Sequence, residues 1–228
     1  MAAVSVILPG GGSGKRFGTQ QNKIYQPLVG RTLVEHTIAA FAQRADVIQI
    51  ILVHGEADRE WIEANLTRQL AEWNVQLVTG GATRSESVRN ALAVVSPDAD
   101  LIAVHDAARP ILPQDAIDRV FAKAHATGAA MLTMPLFGTI KRVDDGLITD
   151  TLPREKFHNL HEAQTPQVFR RALLLEAYAT DTDATDDAAL VEQLGHPVSA
   201  VLGDLRNIKV TRPEDLHMAE TLLQTEMN

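Results

Sequence analysis

The chain has 228 residues, a length typical of one large domain or two small ones and sufficient to bury a hydrophobic core. Its net charge of −8 argues against a nucleic-acid-binding surface, and the absence of cysteine excludes disulfides, thiolate zinc sites and cysteine nucleophiles. Apolar residues occur in runs far shorter than the roughly 20 that cross a bilayer, and no secretory leader is recognisable. We therefore expect a cytoplasmic globular protein without a membrane or nucleic-acid partner.

Short β-branched runs and longer amphipathic stretches alternate along the chain. The short runs predict buried strands at residues 4–8, 47–53, 75–79, 101–104, 129–134 and 198–202. Apolar residues at three- and four-residue spacing predict helices at residues 32–43, 57–73, 83–95 and 113–127. This alternation implies right-handed crossovers and a mainly parallel sheet covered on both faces. The sequence therefore predicts an α/β fold, a single Rossmann-like, doubly wound domain over residues 1–228.

One stretch departs from this alternation. From Thr139 to Thr151, apolar and polar residues alternate on both sides of an Asp144-Asp145-Gly146 turn, a pattern that predicts a β-hairpin. Because an isolated two-stranded ribbon is marginal in water, such a hairpin needs support from its own domain or from a second subunit. We therefore expect residues 137–163 to form a projecting β-arm used in homodimerisation.

Positive charge is concentrated near the start of the chain. Lys15, Arg16, Lys23 and Arg31 lie within the first 34 residues, which contain no acidic side chain, whereas the chain as a whole is acidic. A local positive field in an acidic protein suits a small polyanion such as a phosphorylated ligand. The predicted first strand also leads directly into a glycine-rich loop, the place where open α/β sheets bind ligands.

Two familiar phosphate loops do not match this segment. A P-loop requires Gly and then Ser or Thr at positions that Pro9 and Arg16 occupy here. A dinucleotide fingerprint starting at Gly10 or Gly12 requires its last Gly where Lys15 or Phe17 stands. What remains is a loop that exposes main-chain N–H groups beside several cations; the alternative is a glycine-rich turn with solvated basic side chains.

The loop and several later motifs together resemble a known family. The segment PGGGSGKR at residues 9–16, followed by Lys23, resembles the signature of nucleotidyltransferases that join a nucleoside monophosphate to a sugar phosphate. Later motifs resemble the 2-C-methyl-D-erythritol 4-phosphate cytidylyltransferase family over nearly the whole chain: GGATRSESV at 80–88, HDAARP at 105–110, QTPQ at 164–167 and NIKVTRPED at 207–215. The resemblance implies transfer of CMP from CTP to a polyol phosphate in non-mevalonate isoprenoid biosynthesis.

The same resemblance implies roles for individual residues. Those implied to be catalytic are Arg16, Lys23, Arg154 and Lys209. Those implied to bind the nucleotide are Pro9, Gly10, Gly11, Gly12, Ser13, Gly14, Gly80, Gly81, Ser87, Asp106 and Ala107. Those implied to bind the polyol phosphate are Asp106, Arg109, Thr139, Thr165 and Lys209, with Thr139 and Arg154 reaching the neighbouring subunit's site. The implied cofactor is Mg²⁺, held mainly by the CTP phosphates with Asp106 as a possible ligand.

Several residues also have simpler interpretations. Asp106 is suited to capping the next helix while pairing with Arg109 on the surface. Lys209 is placed by the local pattern on an edge strand, where lysine commonly blocks aggregation.

The sequence also departs from the family at Gly10-Gly11, where Ala-Ala is usual, and at Asn22, where Pro is usual. Arg154 lies about three residues further from Gln164 than the family arginine, which implies an insertion in the arm.

Two other functions remain open at this point. The first is the same chemistry on a pentitol phosphate such as ribitol 5-phosphate, because both acceptors are small phosphorylated polyols. The second is a non-catalytic regulator that binds a nucleotide, because a fold does not fix a function. The joint presence of Arg16, Lys23, Asp106 and Lys209 argues against a regulator.

Overall fold

The structure, a computed structural model, describes residues 2–11, 21–180 and 184–227, without the side chains of Arg154, Phe157, Glu226 and Met227. Its centre is a seven-stranded sheet in the order β11-β7-β10-β6-β1-β4-β5. The strands of this sheet are β1 (Val4–Pro9), β4 (Val47–His54), β5 (Val75–Thr79), β6 (Leu101–Val104), β7 (Ala129–Pro135), β10 (His161–Arg170) and β11 (Ser199–Leu202). Short two-stranded sheets are formed by β2 (Pro27–Leu28) with β3 (Arg31–Thr32), and by β8 (Lys141–Asp144) with β9 (Leu147–Thr151).

The helices cover both faces of this sheet. They are α1 (Leu33–Ala42), α2 (Arg59–Asn65), α3 (Thr67–Glu72), α4 (Arg84–Leu92), α5 (Gln114–Thr127), α6 (Arg154–Phe157), α7 (Arg171–Ala179), α8 (Asp187–Gln193) and α9 (Pro213–Met227). One core joins α1, α3 and α5 to the face of β1 that carries Val6 and Leu8, and a second core joins α4, α7 and α8 to the face that carries Ile7. This alternation of side chains along β1 is the period-two pattern of a strand buried on both faces. The predicted α/β fold with a mainly parallel sheet is confirmed.

All six predicted strands are present, and the predicted helices are present with one interruption. The stretch predicted as one helix over residues 57–73 is a 3-10 turn at Glu56–Asp58 followed by α2 and α3. The break falls at Leu66, whose φ of −119° lies outside the usual α-helical range. Leu66 and Leu70 are nonetheless buried in the same core, so the chain keeps its contact with that core across the break.

The strand β10 was not predicted, and it is the one antiparallel member of the described central sheet. It pairs with β6 through residues 167–170 and with β7 through residues 161–163 and 167–169. Between the two parts the register shifts, so Gln164, Thr165 and Pro166 leave the ladder with β7. Because β10 runs against its neighbours, its amino-terminal half lies at their carboxyl edge, where ligands of α/β sheets bind.

The predicted hairpin is also confirmed. β8 and β9 pair through a turn in which Asp145 and Gly146 both have positive φ, at 46° and 79°. Two consecutive positive φ values define the tight turn that suits a twisted hairpin, and glycine tolerates them at little cost. The apolar side chains of Val143, Leu147 and Ile148 are 58 %, 71 % and 65 % exposed, so the hairpin projects from the described part of the chain without covering its own apolar surface.

The prediction of an edge strand around Lys209 is wrong. Residues 207–210 form an irregular segment that contacts the sheet region through one backbone bond, from the Val210 N–H to the Ala108 carbonyl at 2.9 Å. A single bond of this kind does not make a ladder, and Asn207 and Val210 are buried. Lys209 therefore has a position fixed by its neighbours rather than a place on an exposed sheet edge.

Candidate active site

The predicted site residues collect at the carboxyl ends of β1, β4 and β6. Gly10 follows β1, and its N–H donates to the Val53 carbonyl of β4 at 2.8 Å. After β6, the His105 N–H donates to the Ile7 carbonyl of β1 at 2.9 Å. The middle of β10 completes the group, because the Asp106 N–H donates to the Thr165 hydroxyl at 3.1 Å. Residues distant in the sequence thus meet at one edge of the sheet.

The first glycine pair lies tightly against β4 and the turn that follows it. A Cβ on Gly10 would lie 2.6 Å from Ile24 Cδ1 and 2.9 Å from the Val53 carbonyl oxygen, so any larger residue requires a shift of the backbone. A Cβ on Gly11 would lie 3.4 Å from the Gly55 nitrogen. Glycine here permits close approach of main chain to main chain. The predicted site residues Gly12, Ser13, Gly14 and Arg16 lie outside the described residues, as does Lys15.

Lys23 begins a short 3-10 turn, Lys23–Tyr25, whose other members are buried. Asn22 caps this turn, because its side-chain Oδ1 accepts from the Ile24 N–H at 3.3 Å. Tyr25 packs on Trp61, with ring centroids 4.8 Å apart. The backbone of Lys23 is therefore held on both sides by buried neighbours, while its side chain is half-buried.

The second glycine pair lies on the other side of the end of β4. The Gly80 N–H donates to the His54 carbonyl at 2.8 Å, and the Gly81 N–H donates to the Ser87 hydroxyl at 3.1 Å. A Cβ on Gly80 would lie 2.8 Å from Ser87 Oγ, so the pair fits only without side chains. The predicted nucleotide-binding residues Gly80, Gly81 and Ser87 are thus in direct contact with one another and adjacent to the first glycine pair through β4.

Asp106 is the centre of a buried cluster of charges. Its Oδ2 lies 3.1 Å from Arg109 Nε and 3.0 Å from Lys209 Nζ. Arg109 also donates to the Asn207 carbonyl at 2.7 Å, which connects the HDAARP and NIKVTRPED segments. Burial raises the pKa of Asp106, but Lys209, Arg109 and Arg84 outweigh burial and hold the pKa well below its ordinary value.

This cluster excludes the simpler interpretation of Asp106. The next helix, α5, has Pro113 at its N-cap position, so Asp106 does not cap it. The pair with Arg109 forms as expected but is buried rather than on the surface, at 8 % and 6 % exposure. Because a buried carboxylate is costly unless it is paired, this arrangement indicates a function that needs a fixed anion among cations.

His105 and Thr165 fix the backbone of Asp106 through a chain of hydrogen bonds. His105 is fully buried, and burial lowers the pKa of its imidazole to about 4, so the ring is neutral at pH 7. Its Nε2 faces the Arg109 carbonyl at 3.2 Å, which requires a proton on Nε2. Its Nδ1 then accepts the hydroxyl proton of Thr165 at 3.0 Å, while the same hydroxyl oxygen accepts from the Asp106 N–H. Thr165 Oγ1 consequently has one lone pair left and no donor for a ligand.

A second ion pair, with a buried carboxylate and a partly exposed guanidinium, interacts electrostatically with Asp106 and was not assigned a role from the sequence. Arg84 forms a double contact with Asp187, at 3.1 Å and 2.6 Å, and the Tyr178 hydroxyl donates to Asp187 at 2.5 Å. Asp187 is fully buried, and it raises the pKa of Arg84 against the opposing effect of burial. The two residues lie 103 positions apart in the sequence, so no local pattern marks this pair.

The structure does not bring every predicted residue into this group. Thr139 is exposed just before β8, and none of the hydrogen bonds or ion pairs of the described residues joins it to the Asp106 cluster. Arg154 begins α6, but its side chain lies outside the described ones. Among all residues that the structure describes, no group of three metal-binding side chains converges. None of the described helices is long and apolar enough to span a membrane.

Comparison with known proteins agrees with this arrangement. The model of the 2-C-methyl-D-erythritol 4-phosphate cytidylyltransferase family matches residues 4–225. The enzyme of that name from Rhodopirellula baltica is 45 % identical over 97 % of this chain and 95 % of its own length, and that from Solibacter usitatus is 40 % identical over 98 % and 96 %. The crystal structure of the Thermus thermophilus enzyme superposes with a TM-score of 0.81 at 33 % identity, covering 97 % of this chain and 99 % of that one.

Proposed function

Because the chain belongs to the 2-C-methyl-D-erythritol 4-phosphate cytidylyltransferase family, we propose that it transfers CMP from CTP to 2-C-methyl-D-erythritol 4-phosphate. The products are pyrophosphate and 4-diphosphocytidyl-2-C-methyl-D-erythritol, an intermediate of non-mevalonate isoprenoid biosynthesis. The observation that supports this best is the Asp106 cluster, in which Arg109 and Lys209 pair with a buried carboxylate next to the first glycine pair.

The chemistry needs no general base from the protein. In the reaction, an oxygen of the acceptor phosphate attacks the α-phosphorus of CTP, the bond from that phosphorus to the bridging oxygen breaks, and pyrophosphate leaves with the electron pair. A phosphate monoester has its second pKa near 6, so the nucleophile is mostly dianionic at pH 7. The barrier arises mainly from bringing anions together, and positioning with cationic stabilisation lowers it. Asp106, with its lowered pKa, is unsuited to accepting a proton.

The nucleotide would occupy the space between the two glycine pairs. Main-chain N–H groups of the first pair and of residues 12–14, together with Arg16 and Lys23, would contact the triphosphate, whose charge increases at the transition state. Gly80, Gly81 and Ser87 would surround cytosine, where close main-chain approach allows hydrogen bonds to the edge of the base. Asp106 and Ala107 would contact the ribose.

The acceptor would bind on the other side of Asp106. Arg109 and Lys209 supply positive charge for its phosphate, and Asp106 keeps the two cations apart in fixed positions. Thr165 has only a lone pair to offer, so it would accept a hydrogen bond from a hydroxyl of the polyol rather than donate to the phosphate. Arg154 and Thr139 are proposed to contact this substrate from a neighbouring subunit.

We propose that the enzyme uses a Mg²⁺ ion that would be held mainly by substrate, with Asp106 as its one protein carboxylate. Magnesium commonly keeps several waters and binds one or two carboxylates plus phosphate oxygens, and Asp106 supplies one carboxylate here. When bound, the ion would neutralise charge on the triphosphate. The protein's own contribution is the position of Asp106 and of the cations around it. The cytoplasmic location expected from the sequence stays a prediction.

A homodimer would complete the site through the arm. Val143, Leu147 and Ile148 present a largely exposed apolar surface on the hairpin, which has no support within its own described chain. A two-stranded ribbon with such a surface gains stability when a second subunit covers it. Leu147→Glu combined with Ile148→Glu is expected to shift the protein to monomers in sedimentation velocity, whereas an unchanged dimer would exclude the arm as the contact.

Pyrophosphate release is the direct test of the activity. Release should require CTP and 2-C-methyl-D-erythritol 4-phosphate together, with ATP, GTP and UTP as matched nucleotide controls. Ribitol 5-phosphate is the matched acceptor control, and a preference for it would contradict the proposed substrate while leaving the chemistry intact. Binding of CTP without release under any pairing would contradict the proposed activity altogether.

A further inference from the structure

Asn22 lies at a junction of three segments that surround the triphosphate end of the proposed site. Its side-chain Nδ2 donates to the Gly10 carbonyl at 2.7 Å and to Asp58 Oδ2 at 3.1 Å. Its Oδ1 accepts from the Ile24 N–H at 3.3 Å and so caps the turn that begins with Lys23. Asn22 is 7 % exposed, so these bonds form away from water.

Asp58 extends the same junction to the loop after β4. Its Oδ2 accepts from the Gly55 N–H at 3.3 Å as well as from Asn22. Gly55 in turn lies against the first glycine pair, because a Cβ placed on Gly11 would be 3.4 Å from its nitrogen. One carboxylate oxygen thus connects the loop after β4 to Asn22, and Asn22 connects both to Gly10 and to the Lys23 turn.

From this network we propose that Asn22 and Asp58 act together as positioning residues for Lys23 and for the start of the glycine-rich loop. Neither residue needs to touch substrate. The amide of Asn22 has both the donor and the acceptor that this position requires. Its Nδ2 donates to the Gly10 carbonyl and to Asp58, and its Oδ1 accepts from the Ile24 N–H. Aspartate has the same shape but no donor, so the pair depends on an amide at residue 22 opposite a carboxylate at residue 58.

The proposal rests on the proposed function, because it concerns where Lys23 lies relative to the α-phosphorus. A displacement of a catalytic cation by a fraction of an ångström lowers the rate of the chemical step more than it weakens binding of the ground state. We therefore expect changes in this pair to appear mainly in kcat, with a smaller effect on the KM for CTP. A purely structural role would instead lower the unfolding temperature and leave kcat of the folded fraction unchanged.

Asn22→Asp is the informative single substitution. It keeps the size of the side chain but places a carboxylate against the Gly10 carbonyl and the Asp58 carboxylate. We expect kcat to fall about tenfold or more, because a buried carboxylate that faces two other hydrogen-bond acceptors without a donor is costly in free energy. Asn65→Asp is the matched control: the Asn65 Nδ2 also donates to a carbonyl, that of Trp61 at 2.8 Å, but on an exposed helix, and kcat should not change.

A reciprocal substitution tests whether the two residues act as a unit. In the Asn22→Asp, Asp58→Asn double variant the carboxylate and the amide exchange places, and the amide at residue 58 can donate to the carboxylate at residue 22. We expect kcat of the double variant to exceed that of Asn22→Asp by about fivefold, which a double-mutant cycle completed with Asp58→Asn alone would measure as coupling. Additive effects would overturn the proposal.

The controls separate the ways in which this experiment can fail. If wild-type protein does not turn over, the proposed function is wrong and this inference falls with it. If wild-type protein is active and Asn22→Asp is within twofold of it, only the inference is overturned. If Asn22→Asp does not fold, Asn22→Ala, which removes the donor without adding charge, should still lower kcat about threefold or more, and an unchanged kcat there would equally overturn the proposal.

Discussion

Asp106 remains ionised inside the protein because two cations share one of its oxygen atoms. Lys209 and Arg109 lie within 3.1 Å of Oδ2, and both come from segments that are themselves anchored to the sheet region. The two cations differ in their access to solvent, because the side chain of Arg109 is 7 % exposed and that of Lys209 is 42 % exposed. We infer that Arg109 orients the Asp106 carboxylate and that Lys209 binds the phosphate of the acceptor substrate.

Stability should depend on pH through His105. Burial lowers the pKa of this imidazole from about 6.5 to about 4, so between these pH values the unfolded chain binds a proton that the folded chain excludes. Stability then falls on acidification by about 1.4 kcal/mol for each pH unit in this window. Urea unfolding at several pH values should show a smaller slope in His105→Gln, with exposed His217→Gln as control; an unchanged slope would contradict this assignment.

Lys23→Ala should lower kcat by about a hundredfold and raise the KM for CTP far less. The reason is that a cation at the α-phosphorus stabilises charge that increases in the transition state, and loss of one such contact typically costs this much. Steady-state kinetics with varied CTP measures both constants. Lys123→Ala, on the exposed side of α5, is the control, and an effect confined to KM would remove Lys23 from the proposed role.

At the scale of elements, the arm and β10 form one continuous unit. The hairpin strands β8 and β9 are followed by α6 and then by β10, whose residue Thr165 contacts Asp106. The arm therefore exposes Thr139 on the same continuous segment that buries Thr165 beside Asp106. In the proposed homodimer, this arrangement would let one chain contribute to its own site and to that of its neighbour.

Mixed dimers test that arrangement. Chains carrying Lys23→Ala and chains carrying Thr139→Ala should each be weakly active alone, because each lacks one part of the proposed site. Mixing them should restore up to about a quarter to a half of the wild-type rate, since some sites then combine an intact Lys23 with an intact arm. Recovery should follow the rate of subunit exchange, and its absence in verified heterodimers would exclude action of the arm in the partner's site.

At the scale of the molecule, the local sequence patterns predicted the alternating part of the fold and missed the strand that does not alternate. The run from His161 to Arg170 contains a polar Gln-Thr-Pro segment, which reads as a loop. Its pairing partners β6 and β7 lie far away in the sequence, so no local pattern marks it. The C-terminal helices α7, α8 and α9 were likewise not assigned from periodicity.

The candidate site was predicted from motifs rather than from geometry. Asp106 and Arg109 share one motif, so their proximity follows from the sequence, but Lys209 joins them only through the folded chain. The edge-strand prediction for Lys209 failed because a short apolar pattern cannot distinguish a strand from a buried irregular segment. The Asn22 and Asp58 contact has no sequence signal at all, since the two residues belong to different loops.

Phe169→Ala should destabilise the whole molecule by about 3–5 kcal/mol. Phe169 is fully buried in β10 and packs in the core beneath α7, so its removal leaves a cavity in the middle of the sheet. Met218→Ala, at a side chain 56 % exposed on α9, should change stability by less than about 0.5 kcal/mol. Chemical denaturation of both variants compares them directly, and similar losses would contradict the central role of β10.

The position of β10 also sets an order for folding. It lies between β6 and β7, so the hydrogen-bonded ladder that links β7 and β11 to the other described strands is complete only when β10 enters the gap. Contacts at such sequence separation form late, because loop closure must precede them. The same entry brings Thr165 to Asp106, so we expect the proposed site to be completed together with the sheet during refolding. A refolding experiment followed by both hydrogen-exchange protection of the β6, β7 and β10 amides and turnover should therefore show no protected sheet that is inactive for want of Thr165.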